Sequence, residues 1–236
     1  MKKNLAIILA GGSGSRIDNQ IPKQFLTLAG KTILRHTIDR FENHPGIHHI
    51  FVVTNGEFYG KTREIIQNSR YKKVVNVLKG GETRQESSRI GVTAADPGDY
   101  ENVLIHDAAR PFVSKRIIDE LLDQLKTYSA VNLAVPSPDT IIEIDDNNCI
   151  KKIPDRKNLR RVQTPQAFKL ELMQKAHGLA LEKGITNAGD DCSLILEFQL
   201  APIFVVEGSP LNIKITYPID LEIAEKILEM GWNKER

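Results

Sequence analysis

Short continuous apolar runs alternate along the chain with stretches in which apolar residues return every third or fourth position. Leu5-Ala6-Ile7-Ile8-Leu9 and Ile50-Phe51-Val52-Val53 have the length of fully buried strands, and Val74 to Leu78, Val103-Leu104-Ile105, Val131 to Val135 and Ile203 to Val206 read as further strands. Between them, Lys31 to Phe41 places Ile33, Leu34, Thr37, Ile38 and Phe41 on one helical face, and Ile117 to Leu125 does the same with Ile118, Leu121, Leu122 and Leu125. Helices are also predicted over Glu57–Gln67, Arg84–Ala95, Leu170–Leu181, Asp190–Phe198 and Leu221–Met230, with a turn at Asp96-Pro97-Gly98-Asp99. Strands and helices in alternation predict an α/β fold: a Rossmann-like open, mostly parallel sheet with right-handed crossovers, flanked by helices, in one domain over residues 1–236. No internal repeat is visible.

The rhythm breaks between Pro136 and Arg161. Pro136, Pro138 and Pro154, a turn at Asp145-Asp146-Asn147-Asn148 and β-type runs on either side predict a hairpin excursion over about 137–161. The residues alone leave two readings open: an arm reaching beyond its own domain, or a lid over its own site.

Composition narrows the function classes. Hydrophobic residues make up 41% and charged residues 26%, as in ordinary globular proteins, and 32 basic residues nearly balance 30 acidic ones. No basic run with interleaved aromatics points to nucleic acid. No segment approaches the roughly 18 apolar residues of a membrane span. Lys2-Lys3 precede an apolar run that ends in glycines rather than extending as a signal segment. Cys149 and Cys192 have neither metal-ligand spacing nor a disulfide framework and read as free thiols. The expectation is a cytoplasmic protein.

The candidate chemistry begins where the first run stops. In Ala10-Gly11-Gly12-Ser13-Gly14-Ser15 no side chain is larger than a hydroxymethyl, so backbone N–H groups can converge on a bulky anion. Arg16 and then Pro22-Lys23-Gln24 bring in two cations, which with the glycines would make a polyphosphate cradle, the alternative being an ordinary strand-to-helix turn. A Walker loop is excluded because neither Gly11 nor Gly12 has a glycine five residues on, and a dinucleotide fingerprint read from Gly12 meets Ile17 where a third small residue belongs. The Gly11–Arg16 loop, Gly80-Gly81-Glu82 and His106-Asp107 each follow a predicted strand, so they should meet along the carboxyl rim of the sheet. Asp107 is a candidate Mg²⁺ ligand, the alternative being a pair with Arg110 or a turn cap. His106 reads as a hydrogen-bonded scaffold group, Lys214 as one face of a strand-like alternation with Ile213 and Ile215, and Asp190-Asp191 as helix-opening structure.

These blocks carry a resemblance. Leu-Ala-Gly-Gly-x-Gly-Ser-Arg with Pro-Lys-Gln-Phe, Gly80 to Ser87, His106-Asp107-Ala108-Ala109-Arg110-Pro111, Asp139-Thr140, Asp155-Arg156, Gln163 to Gln166 and Asn212 to Thr216 resemble the cytidylyltransferases of methylerythritol phosphate and ribitol phosphate. The ordered set spans nearly the whole chain. The resemblance implies transfer of CMP from CTP to a polyol phosphate with Mg²⁺. Leu9, Ala10, Gly11, Gly12, Gly14, Arg16, Lys23, Gly81, Glu82, Ser87, Asp107 and Ala108 would bind CTP. Arg16, Lys23 and Lys214 would serve the chemistry, and Asp107, Arg110, Lys214, Thr140 and Arg156 the acceptor. It also implies a homodimer, with Thr140 and Arg156 coming from the neighbouring subunit's arm. The His106–Pro111 and Asp155-Arg156 blocks resemble the methylerythritol phosphate enzymes, whereas Leu9-Ala10-Gly11-Gly12 resembles the ribitol phosphate branch. A nucleotide-binding module without turnover is the reading outside the enzyme class.

Overall fold

The computed structural model describes residues 2–12 and 21–232. In chain order the elements are β1 (Lys3–Ala10), β2 (Thr27–Leu28), β3 (Lys31–Thr32), α1 (Ile33–Glu42), β4 (His49–Thr54), α2 (Tyr59–Ser69) and β5 (Val74–Lys79). There follow α3 (Arg84–Thr93), β6 (Tyr100–Asp107), α4 (Lys115–Gln124), β7 (Ala130–Pro136), β8 (Glu143–Ile144) and β9 (Ile150–Lys152). The chain continues through β10 (Arg160–Lys169), α5 (Leu170–Glu182), α6 (Asp191–Glu197), β11 (Ile203–Glu207) and α7 (Pro218–Glu229).

Among the described residues, seven strands form the central sheet in the order β11-β7-β10-β6-β1-β4-β5. β1 shows why its sequence is a run rather than an alternation. Ala6, Ile8 and Ala10 pack into the layer that holds Leu34, Ile38 and Phe41 of α1 and Ile117, Ile118 and Leu121 of α4. Leu5, Ile7 and Leu9 pack into the opposite layer with Val92 of α3, Met173 and Ala176 of α5 and Leu194 of α6. Both faces are covered, so both residue sets must be apolar. α1 starts at Thr32, whose side chain accepts the Arg35 N–H, and all five residues of its predicted face are buried. A third apolar cluster seats α7 through Ala224 and Ile227 against Leu28, Ile33, Phe112 and Ile215.

Two sequence expectations change. Arg160–Lys169 is a strand, β10, that the pattern does not announce. It lies antiparallel between β6 and β7 in an otherwise parallel sheet. Its central residues are Gln163, Thr164, Pro165 and Gln166, polar residues and a proline where a buried strand is usually apolar. Proline cannot donate to a ladder, and the register shifts between Gln163 and Ala167, where it sits. The buried polar side chains are satisfied sideways: Gln166 Nε2 donates to Asn132 Oδ1 at 3.1 Å and Asp190 Oδ2 at 2.7 Å, and Gln163 Nε2 to the Ser209 carbonyl at 2.8 Å. Lys214 lies on no strand. The 213–216 segment runs outside the sheet, fixed by the Ile215 N–H on the Ala109 carbonyl at 2.9 Å and by burial of the Ile215 side chain.

The excursion is a hairpin of β8 and β9, with Ile141, Ile142, Ile144, Ile150 and Ile153 all 44–60% exposed. Among the described residues no helix is long and apolar enough to cross a membrane.

Candidate active site

From β1 the chain moves outward to β4 and β5 and then returns to place β6 on the other side of β1. Strand order therefore reverses at β1, and a crevice opens at the carboxyl ends there. A cavity of about 360 Å³ occupies it, lined by Leu9, Ala10, Gly11, Gly12, Lys23, Gln24, Asn55, Gly81, Glu82, Thr83, Arg84, Ser87, Asp107, Ala108, Ala109 and Lys214. That volume suits a small-molecule ligand. An adjoining cavity of about 370 Å³ shares Arg84, Asp107 and Lys214 and adds Arg110, Gln163, Thr164 and Asp190.

Each wall has a local cause. Lys23 sits on a 3₁₀ turn, Lys23–Phe25, and the next residue anchors that turn. Buried Gln24 donates its side-chain amide to the Ala10 carbonyl at 2.7 Å and the Gly12 carbonyl at 3.2 Å, returning the lysine to the end of β1. The turn after β5 packs closely at Gly80 and, at Gly81, against the movable end of the Glu86 side chain. A Cβ at Gly80 would lie 2.7 Å from Ser87 Oγ, and one at Gly81 would lie 2.1 Å from the Glu86 carboxyl carbon. Thr83 caps α3 by accepting the Glu86 N–H, while Glu86 Oε2 accepts the Glu82 N–H at 3.0 Å.

Asp107 ends β6 at the meeting point of both cavities. Its Oδ1 accepts from Arg84 Nε at 3.1 Å and its Oδ2 from Lys214 Nζ at 2.8 Å. Burial alone would raise the carboxyl pKa. The charges of Arg84, Lys214 and Arg110 outweigh it and hold Asp107 well below the usual carboxylate range. Arg84 is held charged against its own burial by Asp191 and Asp107. His106 is fully buried, with Nε2 on the Arg110 carbonyl at 2.9 Å and Nδ1 on Thr164 Oγ1 at 3.0 Å. A carbonyl only accepts, so Nε2 carries the proton and Nδ1 accepts from the threonine hydroxyl. The scaffold reading of His106 fits this geometry.

The 2-C-methyl-D-erythritol 4-phosphate cytidylyltransferase (IspD) family matches residues 5–230 of the chain. The chain belongs to this family. It is 39% identical over 234 residues to the 2-C-methyl-D-erythritol 4-phosphate cytidylyltransferase of Thermobifida fusca, covering 96% of this chain and 93% of that protein. It is 40% identical over 230 residues to the bifunctional ribulose 5-phosphate reductase/CDP-ribitol pyrophosphorylase of Haemophilus influenzae, of whose length it spans 48%. Among solved structures, the 4-diphosphocytidyl-2C-methyl-D-erythritol synthase from Anaerococcus prevotii superposes with a TM-score of 0.85 at 30% identity, covering 97% of this chain and 96% of that one.

In this cytidylyltransferase, Leu9, Ala10, Gly11, Gly12, Lys23, Gly81, Glu82, Ser87, Asp107, Ala108 and Lys214 come together around one cavity. Arg110 lines the adjoining one. Gly14 and Arg16 lie outside the described residues. Thr140 and Arg156 stand on the hairpin arm, where Arg156 Nη1 donates to the Pro138 carbonyl at 3.1 Å, and they line neither cavity. Asp190 caps α6, accepting the Ser193 N–H, so its structural reading holds. Asp191 does more: its Oδ2 receives Arg84 Nη1 at 2.8 Å. Sequence reasoning passes over Arg84, Gln24 and Asn55. Arg84 stands inside a motif quoted for its glycines, but its two carboxylate partners lie 23 and 107 residues away along the chain. Among the described residues no three His, Cys, Asp or Glu side chains cluster as a metal site.

The buried histidines of this family member set a pH dependence. Burial pushes His106 and His177 down to about 4, outweighing the raising effects of the Arg110 carbonyl and of Asp191 respectively. The unfolded chain, with histidines near 6.5, binds more protons than the native state between those values. Stability is therefore full above about pH 6.5 and falls as pH drops toward 4, by up to about 1.4 kcal/mol per pH unit for each histidine. Asp107 contributes with the opposite charge, and its share is lost only below the ordinary carboxylate range. Urea unfolding at pH 7 and pH 5 is expected to give a clearly lower midpoint at pH 5, and a His177→Gln variant a shallower dependence. Equal midpoints would remove the neutral, buried state from these rings.

Proposed function

We propose that the chain transfers the cytidylyl group of CTP to 2-C-methyl-D-erythritol 4-phosphate. A phosphate oxygen of the acceptor attacks the α-phosphorus in line. The new P–O–P bond forms as the bond to the β-phosphate breaks, and pyrophosphate leaves with the electron pair. The observation that carries this reading is the convergence of Gly11, Gly12, Lys23, the Gly81–Ser87 turn, Asp107 and Lys214 on one cavity in a member of the family.

A phosphate monoester, with its second pKa at about 6, is already largely dianionic at pH 7, so the nucleophile needs no general base. The site agrees: His106 is neutral, buried and turned onto the Arg110 carbonyl. Catalysis is then positioning and the stabilisation of charge growing around the α-phosphorus. Lys23 and Lys214 are the cations assigned to that task, with Arg16 by resemblance and the backbone N–H groups of the loop beside them. The Gly81–Ser87 turn is assigned to the cytosine edge. The residues fit a divalent cation, because the Asp107 carboxylate faces the cavity with lone pairs beyond those given to Arg84 and Lys214. Asp107 would hold Mg²⁺ there, and the ion would neutralise phosphate charge.

The adjoining cavity, with Arg110, Asp107 and Lys214, is assigned to the acceptor. Thr140 and Arg156 are assigned to the acceptor of a partner subunit in a C₂ dimer, and the exposed isoleucines of the arm support a covered face there. We place the enzyme in the cytoplasm, with its nucleotide.

Ribitol 5-phosphate is the second reading, favoured by the Haemophilus influenzae relative and by Leu9-Ala10-Gly11-Gly12. The deciding experiment follows pyrophosphate release from CTP, UTP, ATP and GTP with each polyol phosphate. CTP with methylerythritol phosphate is expected to turn over fastest. Faster turnover with ribitol phosphate would reverse the acceptor, and equal turnover with a purine nucleotide would remove the base-pocket assignment. Nucleotide binding without any release would leave a binding module.

A further inference from the structure

Asp191 opens α6, is 1% exposed and lines neither cavity, so it touches nothing bound in them. From it, however, a row of alternating charges leads to the centre of the site. Asp191 Oδ2 receives Arg84 Nη1 at 2.8 Å, Arg84 Nε reaches Asp107 Oδ1 at 3.1 Å, and Asp107 Oδ2 receives Lys214 Nζ at 2.8 Å. Asp191 is itself firmly seated. Its N–H donates to Gln166 Oε1 at 3.1 Å, and its Oδ1 accepts the Ser88 hydroxyl, which lies 3.3 Å from His177 Nε2.

The two ends of the row differ in rigidity. Lys214 stands on an extended segment outside the sheet, its side chain 40% exposed, with Asp107 as its ion-pair partner. Arg84 presents a planar fork that favours bidentate carboxylate pairing, and its Nη2 is buried with no partner in the structure. Asp191 holds Nη1 and with it the tilt of the guanidinium, so Asp107 is reached by Nε alone while Nη2, the donor on the same edge as Nε, stays unpartnered. If Asp191 lost its charge, the guanidinium would be free to grip Asp107 with two donors and compete with Lys214 for the second oxygen.

We propose that Asp191 is a positioning residue for the transfer reaction: by restraining Arg84 it keeps Asp107 shared with Lys214 and so fixes that ammonium at the phosphates. The inference rests on the assignment of Lys214 to the phosphates.

The test is a double-mutant cycle on kcat. Asp191→Asn keeps the side-chain shape and is expected to lower kcat by about 10²-fold, the scale of a group misplaced by an ångström, with the KM for CTP nearly unchanged. Lys214→Met is expected to lower kcat at least as much. If Asp191 acts through Lys214, adding Asp191→Asn to Lys214→Met costs little more, whereas a purely structural loss multiplies through. Arg84→Lys provides a second route should Asp191→Asn fold poorly. A lysine keeps the charge but lacks the rigid planar fork that holds Asp107 and Asp191 in fixed directions, so it should show the same kcat loss and the same lack of multiplication with Lys214→Met. Wild-type kcat in folded Asp191→Asn, or losses that multiply with Lys214→Met, would overturn the proposal. Wild-type kcat in Lys214→Met itself would instead overturn the assignment on which it rests.

Discussion

Lys23→Ala is expected to lower kcat by about 10²- to 10³-fold, the scale of removing one donor aimed at developing charge, and to change the KM for the polyol phosphate far less. Lys23 is not carried by a long helix or strand. It is returned to the cavity by a 3₁₀ turn that Gln24 ties to the Ala10 and Gly12 carbonyls. Truncation at Cβ leaves those bonds intact, so loss of activity without loss of fold is expected. Steady-state kinetics with varied acceptor, paired with a thermal melt, check it. An interaction made equally with bound CTP and with the transition state would raise KM and spare kcat, whereas the reading here requires charge that strengthens as the α-phosphorus is attacked. Wild-type turnover in a well-folded variant would leave Lys23 a structural residue.

The parts of this site that could be read along the chain are those whose cause is local. The apolar run of β1 shows that both its faces are covered, and the run ends at Gly11-Gly12 because that backbone borders the cavity. Gly80 stands where Ser87, one turn into α3, and the Thr54 carbonyl crowd a Cβ, and Gly81 where the Glu86 side chain would have to shift for one. The alternation around Lys214 correctly turned the lysine away from buried Ile215, although no strand accompanies it. An extended chain alternates its side chains whether or not a neighbour completes the ladder.

What the sequence hid depends on partners distant along the chain. β10 looks broken by Gln163, Thr164, Pro165 and Gln166. Its polar residues are stable inside only because Asn132, Asp190, Ser209 and His106 meet them. A buried polar side chain without such partners would be costly, and nothing in the local pattern says that they will be present. Arg84 is hidden for the same reason, since an arginine in the first turn of a helix is ordinary on a surface. Its meaning appears only when β6 and α6 deliver Asp107 and Asp191 to opposite ends of its guanidinium.

Arg156→Ala and Lys23→Ala, each nearly inactive alone, are expected to restore activity when mixed under conditions of subunit exchange. Within its own chain Arg156 lines neither cavity and is turned onto the Pro138 carbonyl at the base of the arm. The arm exposes Ile141, Ile142, Ile144, Ile150 and Ile153, an apolar surface that solvent disfavours and a second subunit would cover. If the arm carries Arg156 into the partner's acceptor site, a mixed dimer holds one site with both lesions and one with neither. Random pairing makes half the dimers mixed, each with one intact site, so recovered activity approaches about a quarter of wild type. Subunit exchange is verified separately with tagged chains, and the activity is titrated against the mixing ratio, peaking at equal amounts. No recovery despite proven exchange would return Arg156 to its own chain's site and make the hairpin a lid.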